Sequence, residues 1–185
     1  MGGFLVCRVV GASAAILHLL TGLEQARPVA RIPESDYLGG SARGGRAGDK
    51  GVRMSAITTI GDISRVHAAE RPDKIALICD DRSWTYAELD LESNQAAHAL
   101  AAAGVTGQDR VAFLDKNAPE YFSFLIGAGK LNAVTVAVNW RLAPPEMEYI
   151  LDNAEAKVLL IGEEFLGHLA KMNLSTVTTV IVLGA

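Results

Sequence analysis

A chain of 185 residues, half of them hydrophobic and 21% charged, carries enough apolar material for one core of the usual ~100–150-residue size. That excludes a large two-domain enzyme, and a formal net charge of -4 argues against nucleic acid as a partner, because binders of the phosphate backbone gather Lys and Arg on one face. Cys7 and Cys79 are the only cysteines, so no disulfide framework or CxxC motif can form within the chain, and a reducing, cytoplasmic setting is expected. His18, His67, His98 and His168 are scattered without a second ligand at zinc spacing, and no metal site is expected.

Residues 1–53 differ in composition from the rest. They carry seven Lys or Arg against four Asp or Glu (+3), whereas 54–185 carry ten against seventeen (-7), which together give -4. Ten of the eighteen glycines lie before Met54, many in the run 39–46, which has too few apolar side chains to offset the entropy of ordering it. The expectation is a flexible, low-complexity extension over 1–53, a leader upstream of a start at Met54, followed by the folded part over 54–185. The apolar stretch 4–20 is interrupted by Arg8 and His18 and is shorter than the ~20 residues a spanning helix needs, so no membrane span is expected. It also lacks the basic n-region of a secretory signal, and Val6 stands where myristoylation of Gly2 favours Ser or Thr. Gly11-Ala12-Ser13-Ala14-Ala15 lacks the last glycine of a nucleophile elbow, and Ser13 is not read as a nucleophile.

From Met54 onward the punctuation becomes regular. Residues 60–70 read as a short helix with Ile60, Ile63, Val66 and His67 on one face, stopped by Pro72. Strands at 74–79 and 82–85 form a hairpin turning at Asp80-Asp81. Thr85 followed by Glu88 is a capping box opening a helix at Tyr86, whose face is Leu89, Ala96, Leu100 and Ala103 and whose end is capped by Gly104. A strand at 110–114 leads to a helix capped by Asn117 and Glu120 and running to about Leu131. Its main stripe is Tyr121, Phe124, Leu125, Ala128 and Leu131, with Phe122 and Ile126 as a second, which predicts cover on two sides. The unbroken apolar run 133–138 reads as a buried parallel strand. A helix at 144–153, a strand at 157–161, a helix at 163–171 and a strand at 178–183 complete an α/β fold, an open, mostly parallel sheet flanked by helices.

Three clusters bear on chemistry. Gly127-Ala128-Gly129-Lys130 has the glycines and lysine of a phosphate loop, but Phe124 replaces its first glycine, Leu131 replaces its Ser or Thr, and the segment lies late in a helix. Helix packing is the reading. Glu88, Asp90 and Glu92 are read as a cap and a solvated face, not as paired catalytic carboxylates. Asn139, Trp140 and Arg141 follow the apolar run 133–138 at the end where open α/β sheets bind ligands, and they offer an amide, a ring and a fixed positive charge. They are candidate substrate-binding residues, with a loop anchored by Arg141 as the structural alternative. No catalytic, cofactor-binding or metal residue is assigned.

Trp84-Thr85-Tyr86-Ala87-Glu88-Leu89, then Gly104 to Gly107 leading into Asp109-Arg110-Val111-Ala112, then Gly129-Lys130-Leu131, then Val138-Asn139-Trp140-Arg141-Leu142 with Glu146, resemble in order and spacing the start of the adenylate-forming (AMP-binding) enzymes. These comprise acyl- and aryl-CoA synthetases, luciferases and peptide-synthetase adenylation domains, and the likeness is greatest to bacterial fatty-acid CoA ligases. The resemblance implies a partial N-terminal domain of that fold and a two-step reaction in which a fatty acid or other carboxylic acid is activated by ATP with Mg to acyl-AMP and transferred to CoA. The family's Ser/Thr/Gly-rich phosphate loop, aromatic-Thr-Glu motif, ribose-binding Asp, hinge and catalytic lysine have no counterpart in these residues, so the chain alone is expected to be an inactive fragment. A free-standing binding module and one half of a split ligase are the alternatives. Asn132 stands where the family usually has Gly, and Ala137 where it often has Pro. The strand from Thr178 to Leu183, uncharged and of high β-propensity, is expected at an exposed edge where it would drive self-association.

Overall fold

The computed structural model describes residues 5–10 and 57–184. Its elements in chain order are β1 (Leu5–Val10), α1 (Ile60–Glu70), β2 (Ile75–Cys79), β3 (Arg82–Thr85), α2 (Tyr86–Ala102), β4 (Arg110–Leu114), α3 (Pro119–Lys130), β5 (Val134–Ala137), α4 (Pro144–Asn153) and β6 (Ala156–Gly162). A 3-10 turn (Glu163–Phe165) running into α5 (Leu166–Leu169) and a last strand, β7 (Thr179–Gly184), complete the chain. The main sheet has the order β1-β7-β6-β4-β5, and every pairing in it is parallel. A two-stranded antiparallel ribbon, β2 with β3, turns at Asp80, whose φ is 51°.

Side chains alternate along each central strand and fill two cores. Val111, Phe113, Val158, Leu160, Ile181 and Leu183 face Ala96, Ala99 and Leu100 of α2 and Phe124 and Ala128 of α3. Ala112, Leu114, Leu159, Ile161, Val180 and Val182 face Met147 and Leu151 of α4, with Phe165 and Leu174. This double cover is what a parallel sheet requires, and it makes β4, β6 and β7 near-continuous apolar runs.

The capping box at α2 forms as the sequence predicts: the N–H of Glu88 donates to Thr85 Oγ1 at 3.2 Å, and the N–H of Thr85 donates to Glu88 Oε2 at 2.8 Å. At the other end Gly104 has a φ of 82°, and Val105 and Gly104 donate to the carbonyls of Leu100 and Ala101 at 3.0 and 2.9 Å. This is the paired-bond cap that a left-handed glycine permits.

Five expectations are corrected. Helix α1 packs through Gly61, Ser64 and Val66, leaving Ile60 and Ile63 exposed; a Cβ at Gly61 would stand 2.9 Å from the backbone nitrogen of Lys130, so a small residue lets the helices close where isoleucines would hold them apart. Helix α3 has Ala118, not Asn117, at its N-cap, and Pro119 opens the helix; proline's fixed φ supplies the start without a side-chain cap. Phe122 on that helix is exposed and its second stripe is only half covered. Strand β5 is an edge strand with Val134 exposed, because an apolar run does not specify which neighbours it finds.

The fifth concerns the extension. Residues 5–10, expected to be part of a flexible leader, form β1 in register with β7, from Leu5 opposite Thr179 to Val10 opposite Gly184. The strand from Thr178 to Leu183 is therefore not at an edge: β7 is held between β6 and β1. The apolar, β-branched run Leu5-Val6-Cys7-Arg8-Val9-Val10 suits such pairing. Ser13 and the glycine-rich run 39–46 lie outside the described residues.

Candidate functional site

Every strand of the main sheet points its C-terminal end the same way, and the strand order reverses at β4, which has β5 on one side and β6 on the other. Ligand crevices in open α/β sheets form outside the carboxyl ends of the strands at such a reversal. A cleft of about 380 Å³ opens there, lined by Asp115 and Asn117 after β4, Tyr121 on α3, and Asn139, Trp140 and Arg141 after β5. All three residues singled out in the sequence thus line one cavity.

Their roles divide cleanly. Asn139 shapes the turn: its Oδ1 accepts from the N–H of Arg141 at 3.0 Å, and its carbonyl accepts from Leu142 at 3.1 Å. Trp140 packs against the buried ring of Phe165 with centroids 5.8 Å apart. The Arg141 guanidinium lies 4.0 Å from the Trp140 centroid, and the ammonium of Lys116 lies 5.5 Å from the same ring. Lys116 is also bound to Glu164, at 2.9 Å to Oε1 and 2.6 Å to Oε2. Among the described residues the Arg141 guanidinium meets no carboxylate or carbonyl, so the loop is tied by Asn139 and the cation stays exposed with its donors free. A planar cation pre-placed on an indole suits a phosphate or carboxylate oxygen pair.

Asp115 was not among the sequence candidates. The signal available was a carboxylate placed directly after the apolar strand Arg110–Leu114, at the end where ligands bind. Its Oδ1 accepts the N–H of Lys116 at 2.7 Å, and burial, followed by the nearby Glu164 and Glu120 carboxylates, pushes its carboxyl above the usual range. A Cβ built at Gly162 would overlap that carboxyl, so the glycine ending β6 makes the room Asp115 occupies.

The Gly127-to-Lys130 segment is helix packing. A Cβ at Gly127 would meet the Ser93 carbonyl at 2.8 Å and Ala96 at 2.9 Å, and Lys130 Nζ donates to Asp90 Oδ1, Ser93 Oγ and Asn94 Oδ1, each at 2.7 Å. Burial lowers the Lys130 pKa while Asp90 opposes that. The expectation of a solvated face for Asp90 and Glu92 is corrected. Asp90 also accepts from Ser64 at 2.7 Å, and Glu92 accepts from Trp84 Nε1 at 3.0 Å and Ser123 at 2.9 Å. Both carboxylates clasp helices together because polar donors from α1, β3 and α3 converge on them.

The donor chemistry of the cleft fits the anionic groups of ATP, CoA or an organic acid through Arg141. It does not offer magnesium a cage, since among the described residues no three His, Cys, Asp or Glu side chains converge as metal ligands.

The family model described as "AMP-binding enzyme" matches residues 64–184. The chain belongs to this family. It is 38% identical over 128 residues to the fatty acid–[acyl-carrier-protein] ligase ScoC of Streptomyces coeruleorubidus, which covers 69% of this chain and 25% of ScoC. It is 39% identical over 104 residues to a 3-hydroxybenzoate–CoA/4-hydroxybenzoate–CoA ligase of Thauera aromatica, covering 56% of this chain and 20% of that protein. Among solved structures, a Mycobacterium tuberculosis fatty acyl CoA synthetase aligns with a TM-score of 0.64 at 34% identity, over 69% of this chain and 26% of the other. The chain therefore spans about a quarter of the length of these relatives, and it matches them as a partial adenylate-forming domain.

Proposed function

We propose that this chain is the N-terminal part of an ATP-dependent acid–CoA ligase acting on a fatty acid or related carboxylic acid. In that reaction a carboxylate oxygen attacks the α-phosphorus of ATP, pyrophosphate leaves, and the CoA thiol then displaces AMP from the acyl group. The observation that carries the reading is the Arg141 guanidinium, stacked on Trp140 with its donors free at the carboxyl end of the sheet, in a chain that matches this family over residues 64–184.

This chain's share of the work is binding and orientation. Arg141 receives an anionic oxygen pair of a reactant, Trp140 and Phe165 keep the guanidinium plane fixed, and Asn139 fixes the turn that presents both. ATP, Mg and CoA are the proposed cofactors of the whole enzyme, and the activating chemistry is theirs. Residues 54–185, with the strand Leu5–Val10 added beside β7, are proposed as the folding unit and the cytoplasm as the setting; no helix among the described residues is long and apolar enough to cross a membrane.

The test is a graft. Residues 57–184 replace the aligned quarter of a fatty acyl-CoA synthetase, and pyrophosphate release is followed with acids from benzoate to palmitate. Acid-dependent release that falls at least about tenfold in kcat/KM with Arg141→Gln is expected. A folded graft that binds ATP but releases no pyrophosphate with any acid would overturn the proposal, and acyl transfer to a carrier protein in preference to CoA would reassign the acceptor.

A further inference from the structure

The cleft holds an ionisable group of each sign, and the two are built differently. Arg141 is a permanent cation. Asp115 stands in the same cavity as a half-buried carboxyl, held in the space that Gly162 leaves open and bonded to one backbone N–H, that of Lys116. The charges that face it are Glu120 on α3 and Glu164 after β6, with Lys116 on its own loop. Lys116 is bound to Glu164 through both carboxylate oxygens, so that ammonium already serves another acid.

We propose that Asp115 determines which ligands the cleft accepts, admitting an anion beside Arg141 when its carboxyl carries a proton and rejecting that anion when the carboxyl is ionised. This rests on the reading of Arg141 as an anion-binding group and adds the regulation of that site. A neutral carboxyl presents an O–H donor to the ligand, whereas a carboxylate places a second negative charge in a shared, partly desolvated cavity, where like charges interact more strongly than in water. The direction in which burial and the neighbouring acids push Asp115 favours the proton-bearing form. Ionisation releases one proton to solvent, so anion binding and proton uptake at Asp115 are linked.

Sulfate is a suitable probe because its charge stays constant over the range of interest. Its binding to the full chain can be followed through the indole N–H resonance of Trp140, with the Asp115 carboxyl observed by carbon NMR. The expected result is a sulfate dissociation constant about fivefold or more weaker at a pH above the observed Asp115 titration than at a pH below it. Asp115→Asn should bind equally at both values, as tightly as the unsubstituted chain at the lower one. By reciprocity, saturating sulfate should raise the pKa of Asp115 in the unsubstituted chain, a readout that stands even where the substitution impairs folding.

Two results would overturn the role of Asp115 alone: binding that depends on Arg141 with a flat pH profile, or a carboxyl titration that sulfate does not move. Two others would overturn the anion site itself: sulfate binding unchanged by Arg141→Gln, or no binding to the unsubstituted chain at either pH.

Discussion

Gln108 and Asn132, 24 positions apart, occupy the left-handed backbone region with φ of 68° and 56° and hold one another in place. The N–H of Gln108 donates to the carbonyl of Asn132 at 2.7 Å, and its side-chain Nε2 donates to Asn132 Oδ1 at 3.1 Å. The asparagine that replaces the family's usual glycine is thus accommodated by a bond that glycine could not make. Asn132→Ala should cost about 1–2 kcal/mol, combining the left-handed strain of a Cβ with a lost hydrogen bond. Asn132→Gly should stay within about 0.5 kcal/mol, because backbone relief offsets the same loss. Urea denaturation midpoints of the two variants check this, and equal losses would show that the left-handed backbone at position 132 carries no strain for a Cβ.

Thr85→Ala should destabilise the chain by about 1 kcal/mol, the usual penalty for losing an N-cap side chain. Thermal unfolding at matched pH measures it, and an unchanged midpoint would mean that the Glu88 contact at Thr85 N–H carries the whole cap.

Ile181 is fully buried on β7, an interior strand between β6 and β1 of a covered sheet. Ile181→Ala should cost about 2–5 kcal/mol through the cavity it leaves, and Ile181→Lys should prevent folding, where an edge position would merely lose self-association. Circular dichroism and light scattering on the two variants distinguish these outcomes.

The Lys130 ammonium is 9% exposed and bonded to Asp90. Asp90→Ala leaves it buried without its counter-charge and should cost about 3–5 kcal/mol, more than replacing both residues with apolar ones. A double-mutant cycle with Lys130→Met measures the difference, and additive losses would refute the pairing.

The hydrogen bond from Lys157, with further bonds from Thr106, lowers the Asp109 pKa from 3.8 to about 2. A carboxyl depressed in the folded state adds stability that is fully present above its ordinary pKa and is lost as pH falls through the folded value. Stability should therefore decline between those two values, and Asp109→Asn should flatten that part of the pH profile. A decline of equal slope in the variant would assign the acid sensitivity elsewhere.

What the sequence made legible follows the range of the interactions. The start of α2 is written in Thr85 and Glu88, three positions apart, and its end in Gly104, so both could be read directly. The site residues Asn139, Trp140 and Arg141 were legible for a similar reason, since a polar, ring-bearing triplet closes an apolar strand. The edge position of β5 was not, because residues 133–138 look the same whether one neighbour or two pair with them. Asp90 and Glu92 looked solvated because their partners Lys130 and Ser123 lie 40 and 31 positions away. Asp115 was overlooked because the clearance it needs is supplied by Gly162 on another strand.

The departure at Ala137 also has an explanation in this geometry. Val134 and Val138 donate their N–H groups to the backbone carbonyls of Asp109, just before β4, and of Phe113 on it, so by alternation the N–H of Ala137 points away from the sheet, where proline costs no ladder bond.

The two rims of the sheet are finished differently. At the amino ends of the strands Lys157 binds the Gly104 carbonyl at 2.6 Å and Asp109 at 2.9 Å, and Arg110 binds the Ala154 carbonyl at 2.6 Å and the Glu155 carboxylate. These bonds lace β4, β6 and the turns between them into one floor. At the carboxyl ends the loops 115–117 and 139–141 are anchored mainly to themselves and to the turn after β6. Inheritance of fold and inheritance of specificity are thereby separated along the length of each strand: a lineage can rewrite what the upper loops recognise without renegotiating how the chain folds.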